Sequence, residues 1–359
     1  MILTYLSGIV ALFFAMNIGA SGAAASISVA YGSGAIASRK KALLICGIAI
    51  FLGAVTGGSE VAKTIGSGII PQDLLTAKVV LIILSSAALS LFLANLLGIP
   101  LSTSEITVGS IVGVGIAQQA LYIKNIFVIA AFWVIVPVVA FTIAFLLGKL
   151  IAVVNKKYPQ LREKRAQKIL AVFVVIVGFF EAFSAGMNNV ANAIGPLVGA
   201  HLISMNTGIV LGGFFIAMGA ILLGGNVLQT NAKKITRFSL LEGGTISGTG
   251  SLLVITASLF GLPVPLTQVT STAIMGIGVA KKGKNTVNKQ VISKIVKVWV
   301  VSPIVSLVIS YSLIKIFVDS DIYTIIVLLS VSVATFGILS LVKTIKKENS
   351  SYVEQGEGI

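Results

Sequence analysis

The chain has almost none of the side chains that usually carry chemistry: 359 residues hold one cysteine, Cys46, and one histidine, His201. A lone cysteine excludes an internal disulfide and any cysteine-based metal site. Cys46 therefore reads as helix packing, and His201 as a loop residue at the external surface. Enzymes that work through clustered His, Asp or Cys are excluded on the same ground, and no cofactor or resident metal is expected. No GxxxxGKS/T phosphate-binding loop is present, so the chain is not itself an ATP-driven pump. Charge is equally scarce: 10% of residues are charged, 56% are hydrophobic and the mean hydropathy is +1.05. That balance excludes a soluble globular protein. The N-terminus lacks a charged n-region and a small-residue cleavage site, so the first span is expected to remain as a membrane helix.

What is present is apolar sequence in long runs. Stretches near residues 74–97, 126–153, 207–228, 295–318 and 322–342 are long enough to cross a bilayer core of roughly 30 Å as helix. Others are interrupted by Gly, Ser, Thr, Asn and Pro. The pattern predicts an all-α polytopic membrane protein with about 11 transmembrane segments, some broken or re-entrant. Broken segments must be covered by protein or line a water-filled cavity, because an unpaired backbone group in lipid costs several kcal/mol. The 26 Lys and Arg outnumber the 11 Asp and Glu. They sit in short connectors, which is the positive-inside pattern of a multi-pass protein in the cell membrane rather than a nucleic-acid footprint. The lipid bilayer is thus the first partner.

The chain also says nearly the same thing twice. FAMNIGASGAAASISVAYGSGA at 14–35 recurs as EAFSAGMNNVANAIGPLVGA, with Gly19 over Gly186, Ala24 over Ala191 and Gly32 over Gly199. GAVTGGSEVAKT then aligns with GAILLGGNVLQT, placing Glu60 over Asn226. GIPLSTSEITVGSIVGVGIA aligns with GLPVPLTQVTSTAIMGIGVA, placing Glu105 over Gln268. Three blocks in one order mean a duplicated unit. The charge bias flips between equivalent connectors: Arg39, Lys40 and Lys41 correspond to the stretch around 201–207, which carries no Lys or Arg, and the mixed 63–78 corresponds to Lys233, Lys234 and Arg237. Because basic loops stay cytoplasmic, the repeats are predicted to have inverted topology. The expected units are a first repeat over 1–155, a basic cytoplasmic linker over 156–168, and a second repeat over 169–320. An extra terminal helix over 321–342 and a cytoplasmic tail over 343–359 complete the chain.

The shared blocks carry the candidate chemistry. Each repeat has a small-residue motif and, later, a Gly-Pro entry followed by hydroxyl or amide residues, which suits the start of a half-helix. Free N–H groups and the positive dipole end at such starts attract an anion. Candidate donors are Ser21, Gly22 (through its backbone), Ser26, Ser28, Asn188, Asn189 and Asn192 from the motifs. The later blocks add Ser102, Thr103, Ser104, Thr267, Gln268 and Thr270. The same residue types also join helices by interhelical hydrogen bonds, and that alternative stands beside the anion reading. Glu60, Glu105 and Glu181 fall within or beside apolar blocks, where an ionisable group is a functional candidate. They are the candidates for carrying a coupled proton; Glu60 also has Lys63 three residues away, within pairing distance on a helix.

Through GMNNVANA, PLSTSEIT and the inverted duplication, the sequence resembles the PiT family of inorganic phosphate transporters along essentially its whole length. The family pattern is close to GANDVANA in both halves, with a Ser-Thr-Ser/Thr-His motif after each later proline. This chain has Ser21 and Gly22, then Asn188 and Asn189, where the family has Asn-Asp, and Glu105 and Gln268 at the histidine positions. These departures, above all MNIGASGAAAS, resemble the CysP-type sulfate permeases, a bacterial branch of the family. The resemblance implies a secondary transporter importing sulfate and a homodimer; whether thiosulfate or other tetrahedral oxyanions share the path stays open at this point. Sulfate has no proton to donate, so removing the family aspartates takes away a repulsion and leaves an uncharged cradle. Their loss also removes hard-cation ligands, which favours a proton over sodium as the coupling ion. The rival readings are a phosphate transporter of the same family and a passive anion channel. Concentrative uptake separates a carrier from a channel.

Overall fold

The computed structural model describes residues 1–96, 101–235, 238–283, 289–324, 326–327 and 330–331, and these form helices joined by short connections. Helix is the form that apolar sequence must take in lipid, because it satisfies every backbone group within the segment. In the first half run α1 (Ile2–Ile18), α2 (Ser28–Gly32), α3 (Arg39–Gly57), α4 (Ser59–Ser67), α5 (Ala77–Leu96), α6 (Thr103–Ala117) and α7 (Ile123–Lys157). The second half holds α8 (Lys164–Gly199), α9 (Met205–Leu223), α10 (Gly225–Ile235), α11 (Leu240–Leu259), α12 (Leu266–Lys282) and α13 (Lys289–Phe317). Several starts are fixed by local chemistry. Ser38 and Ser204 accept from the N–H groups of Lys41 and Thr207, and Ser239 with Glu242 closes a reciprocal capping box on α11.

Among the described residues, seven helices are long and apolar enough to cross a membrane. They are Ile2–Ala23, Arg39–Gly57, Ala77–Leu96, Ile123–Lys157, Lys164–Gly199, Met205–Leu223 and Trp299–Phe317. α11 has the length, but its EGGTISGTGS stretch dilutes the apolar content; α6 is apolar but has only 15 residues. The apolar stretch 207–228 is not one helix, since α9 ends at Leu223 and α10 starts at Gly225. Most of the expected terminal helix 321–342, and all of the tail 343–359, lie outside the described residues.

Helix α8 is the centre of the packing. Its second half, from Glu181 to Gly199, is almost wholly buried among α3, α4, α9 and α11. Two glycines show how close the backbones come. A Cβ on Gly19 would stand 2.0 Å from the Ile216 carbonyl oxygen of α9, and one on Gly186 would stand 2.0 Å from the Ile50 oxygen of α3. Only hydrogen fits at either place. The later helices cross over: α6 lies against α13, and α7 lies against α12. Each short, Pro-preceded helix is therefore held mainly by a long helix of the other half.

Candidate functional site

The polar blocks meet at the centre in two crossed pairs, and the two pairs differ. In the first, the motif after α1 meets the start of α12. α1 passes into a wide π-helical turn over Gly19–Ala23, and after a break at 26–27 the chain starts α2 at Ser28. A methyl added to Gly22 would make ordinary contact, 3.8 Å, with the Thr267 methyl. Between these segments lies a cavity of about 390 Å³ lined by Ser21, Gly22, Ala25, Ser26 and Ser28 on one side. Leu266, Thr267, Thr270 and Ser271 of α12 line another side, Asn226, Thr230 and Asn231 of α10 a third, and Asn95 and Glu181 complete it. α12 starts without a side-chain cap, so its first N–H groups are available where Leu266 and Thr267 border the space. Ser21 donates to the Asn17 carbonyl at 2.9 Å and Ser26 to that of Ala23 at 2.6 Å. Among the described residues, the side chains of Ser28, Asn95, Asn226, Thr230, Thr267 and Ser271 have no hydrogen-bond partner within the protein.

The second crossed pair is closed. Asn188 donates through Nδ2 to the Val264 carbonyl at 2.9 Å and accepts through Oδ1 from the Val264 N–H at 3.1 Å. It thereby treats the backbone ahead of α12 as a strand neighbour would. The same Nδ2 reaches Ser104 Oγ at 3.1 Å, and Thr103 donates to Asn189 Oδ1 at 2.8 Å. Asn192 Nδ2 points at Thr103, Ser104 and Asn189 at 3.3 to 3.4 Å. Ser102 is buried at the start of α6 and makes no capping bond. The sequence candidates therefore divide in two. Ser21, Gly22, Ser26, Thr267 and Thr270 face the cavity, whereas Asn188, Asn189, Asn192, Thr103 and Ser104 hold one another.

The three glutamates also part company. Glu181 is 1% exposed and borders the cavity; its Oε1 accepts from Thr270 at 3.0 Å, and its Oε2 has no partner. The expectation of a cradle without any acidic group is corrected here, because the turn of α8 before the second motif carries this carboxyl to the wall. Glu105, also 1% exposed, is off the cavity and accepts from the amide of Gln268. Glu60 pairs with Lys63 at 2.6 Å, half exposed. Sequence reasoning missed Asn95, Ser271 and the α10 wall. The α10 residues Asn226, Thr230 and Asn231 do follow helical spacing, one polar stripe on a short helix, which is the signal that was available.

Comparison with known proteins fits this arrangement. A model of the phosphate transporter family matches residues 18–310. The sulfate permease CysP of Bacillus subtilis (strain 168) is 56% identical over 348 residues, spanning 97% of this chain and 98% of that protein. A chloroplastic inorganic phosphate transporter of Arabidopsis thaliana is 25% identical over 84% of the chain and 70% of its own length. A solved structure of the sodium-dependent phosphate transporter superposes with a TM-score of 0.79 at 25% identity, covering 88% of this chain and 99% of that one.

Proposed function

The chain belongs to the phosphate transporter family and is a multi-pass anion transporter of the cell membrane; from that premise we propose that it imports sulfate together with protons. The observation that carries the reading is the cavity. A tetrahedral dianion offers only acceptors, and the wall offers hydroxyls, amides and the uncapped start of α12. Among the described residues it contains no lysine or arginine and one carboxyl. An ionised Glu181 beside sulfate would set two anions against each other in a poorly hydrated space, whereas a protonated Glu181 removes the repulsion and adds a donor. Sulfate and a proton on Glu181 therefore favour each other's binding, which is the linkage a symporter requires. The identity with a protein named as a sulfate permease supports the same choice of anion.

The transport unit in this reading is two inverted repeats, 1–155 and 169–320, joined by the cytoplasmic linker 156–168, working as a homodimer. Support comes from reciprocal packing. Gly19 meets Ile216 as Gly186 meets Ile50, α6 meets α13 as α12 meets α7, and the aligned pair Glu105 and Gln268 touch each other. Rocking of one bundle against the other around the central site would alternate access.

Glu181 also favours a second reading. An ionised carboxylate would accept the O–H of hydrogen phosphate. The test is uptake of labelled sulfate into proteoliposomes, with sodium and proton gradients imposed separately and phosphate as competitor. An inward proton gradient should drive accumulation that phosphate does not inhibit. Preference for phosphate, or drive by sodium alone, overturns the reading, and equilibration without accumulation would make the protein a channel.

A further inference from the structure

Away from the cavity, where α6, α12 and α13 come together, three buried oxygens lack partners: Glu105 Oε2, Gln268 Oε1 and Ser302 Oγ. Their residues are 1%, 2% and 0% exposed. Glu105 and Gln268 are already joined through the Gln268 amide N–H and Glu105 Oε1, and the Ser302 hydroxyl lies alongside the same carboxyl. Two of the orphans, a carboxylate oxygen and an amide oxygen, can only accept. The Ser302 hydroxyl has one proton to give, so with the carboxyl ionised these three side chains leave at least one of the two acceptors unpaired. One added proton satisfies both: on Oε2 it turns the carboxylate into a donor to the amide oxygen and closes a two-bond ring between acid and amide. It also removes a net charge from a buried group that makes no ion pair among the described residues. The charged or titratable groups on the packed helices are Lys78 of α5, Glu181 and the basic first turns of α8, Lys281 of α12, and Lys297, Tyr311 and Lys315 of α13. Among the described residues none of them forms an ion pair with Glu105.

We propose that Glu105 and Gln268, with Ser302 beside them, form a proton-binding latch that ties the start of α6 to the start of α12, separate from the anion cavity. Each partner opens a Pro-preceded helix whose other face belongs to one of the crossed pairs. Gln268 follows Thr267 on the cavity wall, and Glu105 follows Ser104 in the closed cluster. A proton in the latch therefore holds the two halves in the arrangement seen here. Losing it leaves a buried carboxylate facing an amide oxygen and releases the two starts from each other.

The latch is tested without substrate, so that failure of the sulfate assignment and failure of the latch are told apart. Thermal unfolding of the full-length protein in detergent is followed from acid to alkaline pH for the wild type, Glu105→Gln and Gln268→Leu, in potassium and in sodium chloride. Gln at 105 closes the same ring as an amide pair with no proton. The wild type should lose thermal stability as pH rises, and Glu105→Gln should remove that part of the pH dependence while keeping the acid-side midpoint. Gln268→Leu, which has no ring to close, should lower the midpoint on the acid side. Identical pH profiles for wild type and Glu105→Gln overturn the proposal. So does a sodium-specific stabilisation of the wild type that Glu105→Gln abolishes, which would make the ligand a metal cation instead of a proton. If Glu105→Gln does not fold, its absence of an acid-side midpoint counts against the ring, and Gln268→Glu, an acid–acid pair with a steeper loss on raising pH, decides the case independently.

Discussion

The motif after α1 and the motif inside α8 align in sequence, yet one borders a cavity and the other a knot of hydrogen bonds. The alignment that sets Gly19 over Gly186 sets Ser21 over Asn188, Gly22 over Asn189 and Ala25 over Asn192. All three short residues line the cavity; all three asparagines are tied into Thr103, Ser104 and Val264. The difference is one of reach. An amide spans the gap to the opposite helix start and satisfies it, while a hydroxyl, a hydrogen and a methyl stop short and leave donors facing open space. Side-chain length at three positions thus separates an open cavity from a clamp.

The sharpest way to break that contrast is to remove the one carboxyl on the open side. Glu181→Gln should abolish proton-driven accumulation while exchange of labelled sulfate at equilibrium survives, measured in proteoliposomes with and without a pH gradient. Next in size, Gly22→Asp puts a fixed anion into the cavity. The space beside Thr267 admits the side chain, so folding should be kept while sulfate uptake falls at least about a hundredfold, the scale of a like-charge contact of several kcal/mol. On the closed side the effect moves from transport to stability. Asn188→Ala leaves the Val264 N–H buried without a partner, its carbonyl keeping only the Ser104 hydroxyl, and should cost about 1–3 kcal/mol, seen as a lower unfolding midpoint. The equivalent Ser21→Ala gives up only bonds to its own helix and should stay within about 1 kcal/mol, with any loss showing in sulfate affinity. Equal stability losses at 21 and 188 would erase the contrast.

The smallest effects lie outside both pairs. Lys63→Met removes a half-exposed ion pair with Glu60 and should change stability by less than about 0.5 kcal/mol without touching transport. Beyond the end of α13, a hydrogen bond from the Lys315 ammonium holds the Asp319 carboxyl below the usual carboxylate range. Its contribution is complete above about pH 4, the unfolded value, and fades as pH falls through the lower folded one. Asp319→Asn should flatten only that acidic limb of a pH–stability curve.

Much of this was legible in the sequence, for reasons that show where legibility ends. Apolar runs announce helices because lipid leaves the backbone no alternative, and the duplicated blocks marked the segments that meet at the centre. The sequence did not reveal which copy would be open. Asn188 and Ser21 are both donors on paper, and only the distance to Val264 and Ser104 decides that one is spent on the protein. Glu181 was visible as an intramembrane acid, but its place on the wall follows from the packing that brings α8 to Thr270 of α12. The division of 207–228 into α9 and α10 was hidden by continuous apolar character, although the Gly224–Gly225 pair marks the break. Asn226, Thr230 and Asn231 fell to the same oversight, since a polar stripe on a helix not yet recognised has no face to be assigned to.

The crossing of α6 onto α13 and α7 onto α12 bears on how the molecule is made. When the first half has left the ribosome, the helix that will cover Glu105, Ser86 and Ser110 has not been synthesised, because Ser302 and Ser306 lie 197 and 201 residues downstream of Glu105. The nascent half must wait in the bilayer with those polar groups uncovered, and α12 must then thread against an α7 already in place. Maturation ends only when α13 arrives, so a truncation before Trp299 should leave a membrane-inserted but protease-sensitive intermediate rather than a half-sized transporter.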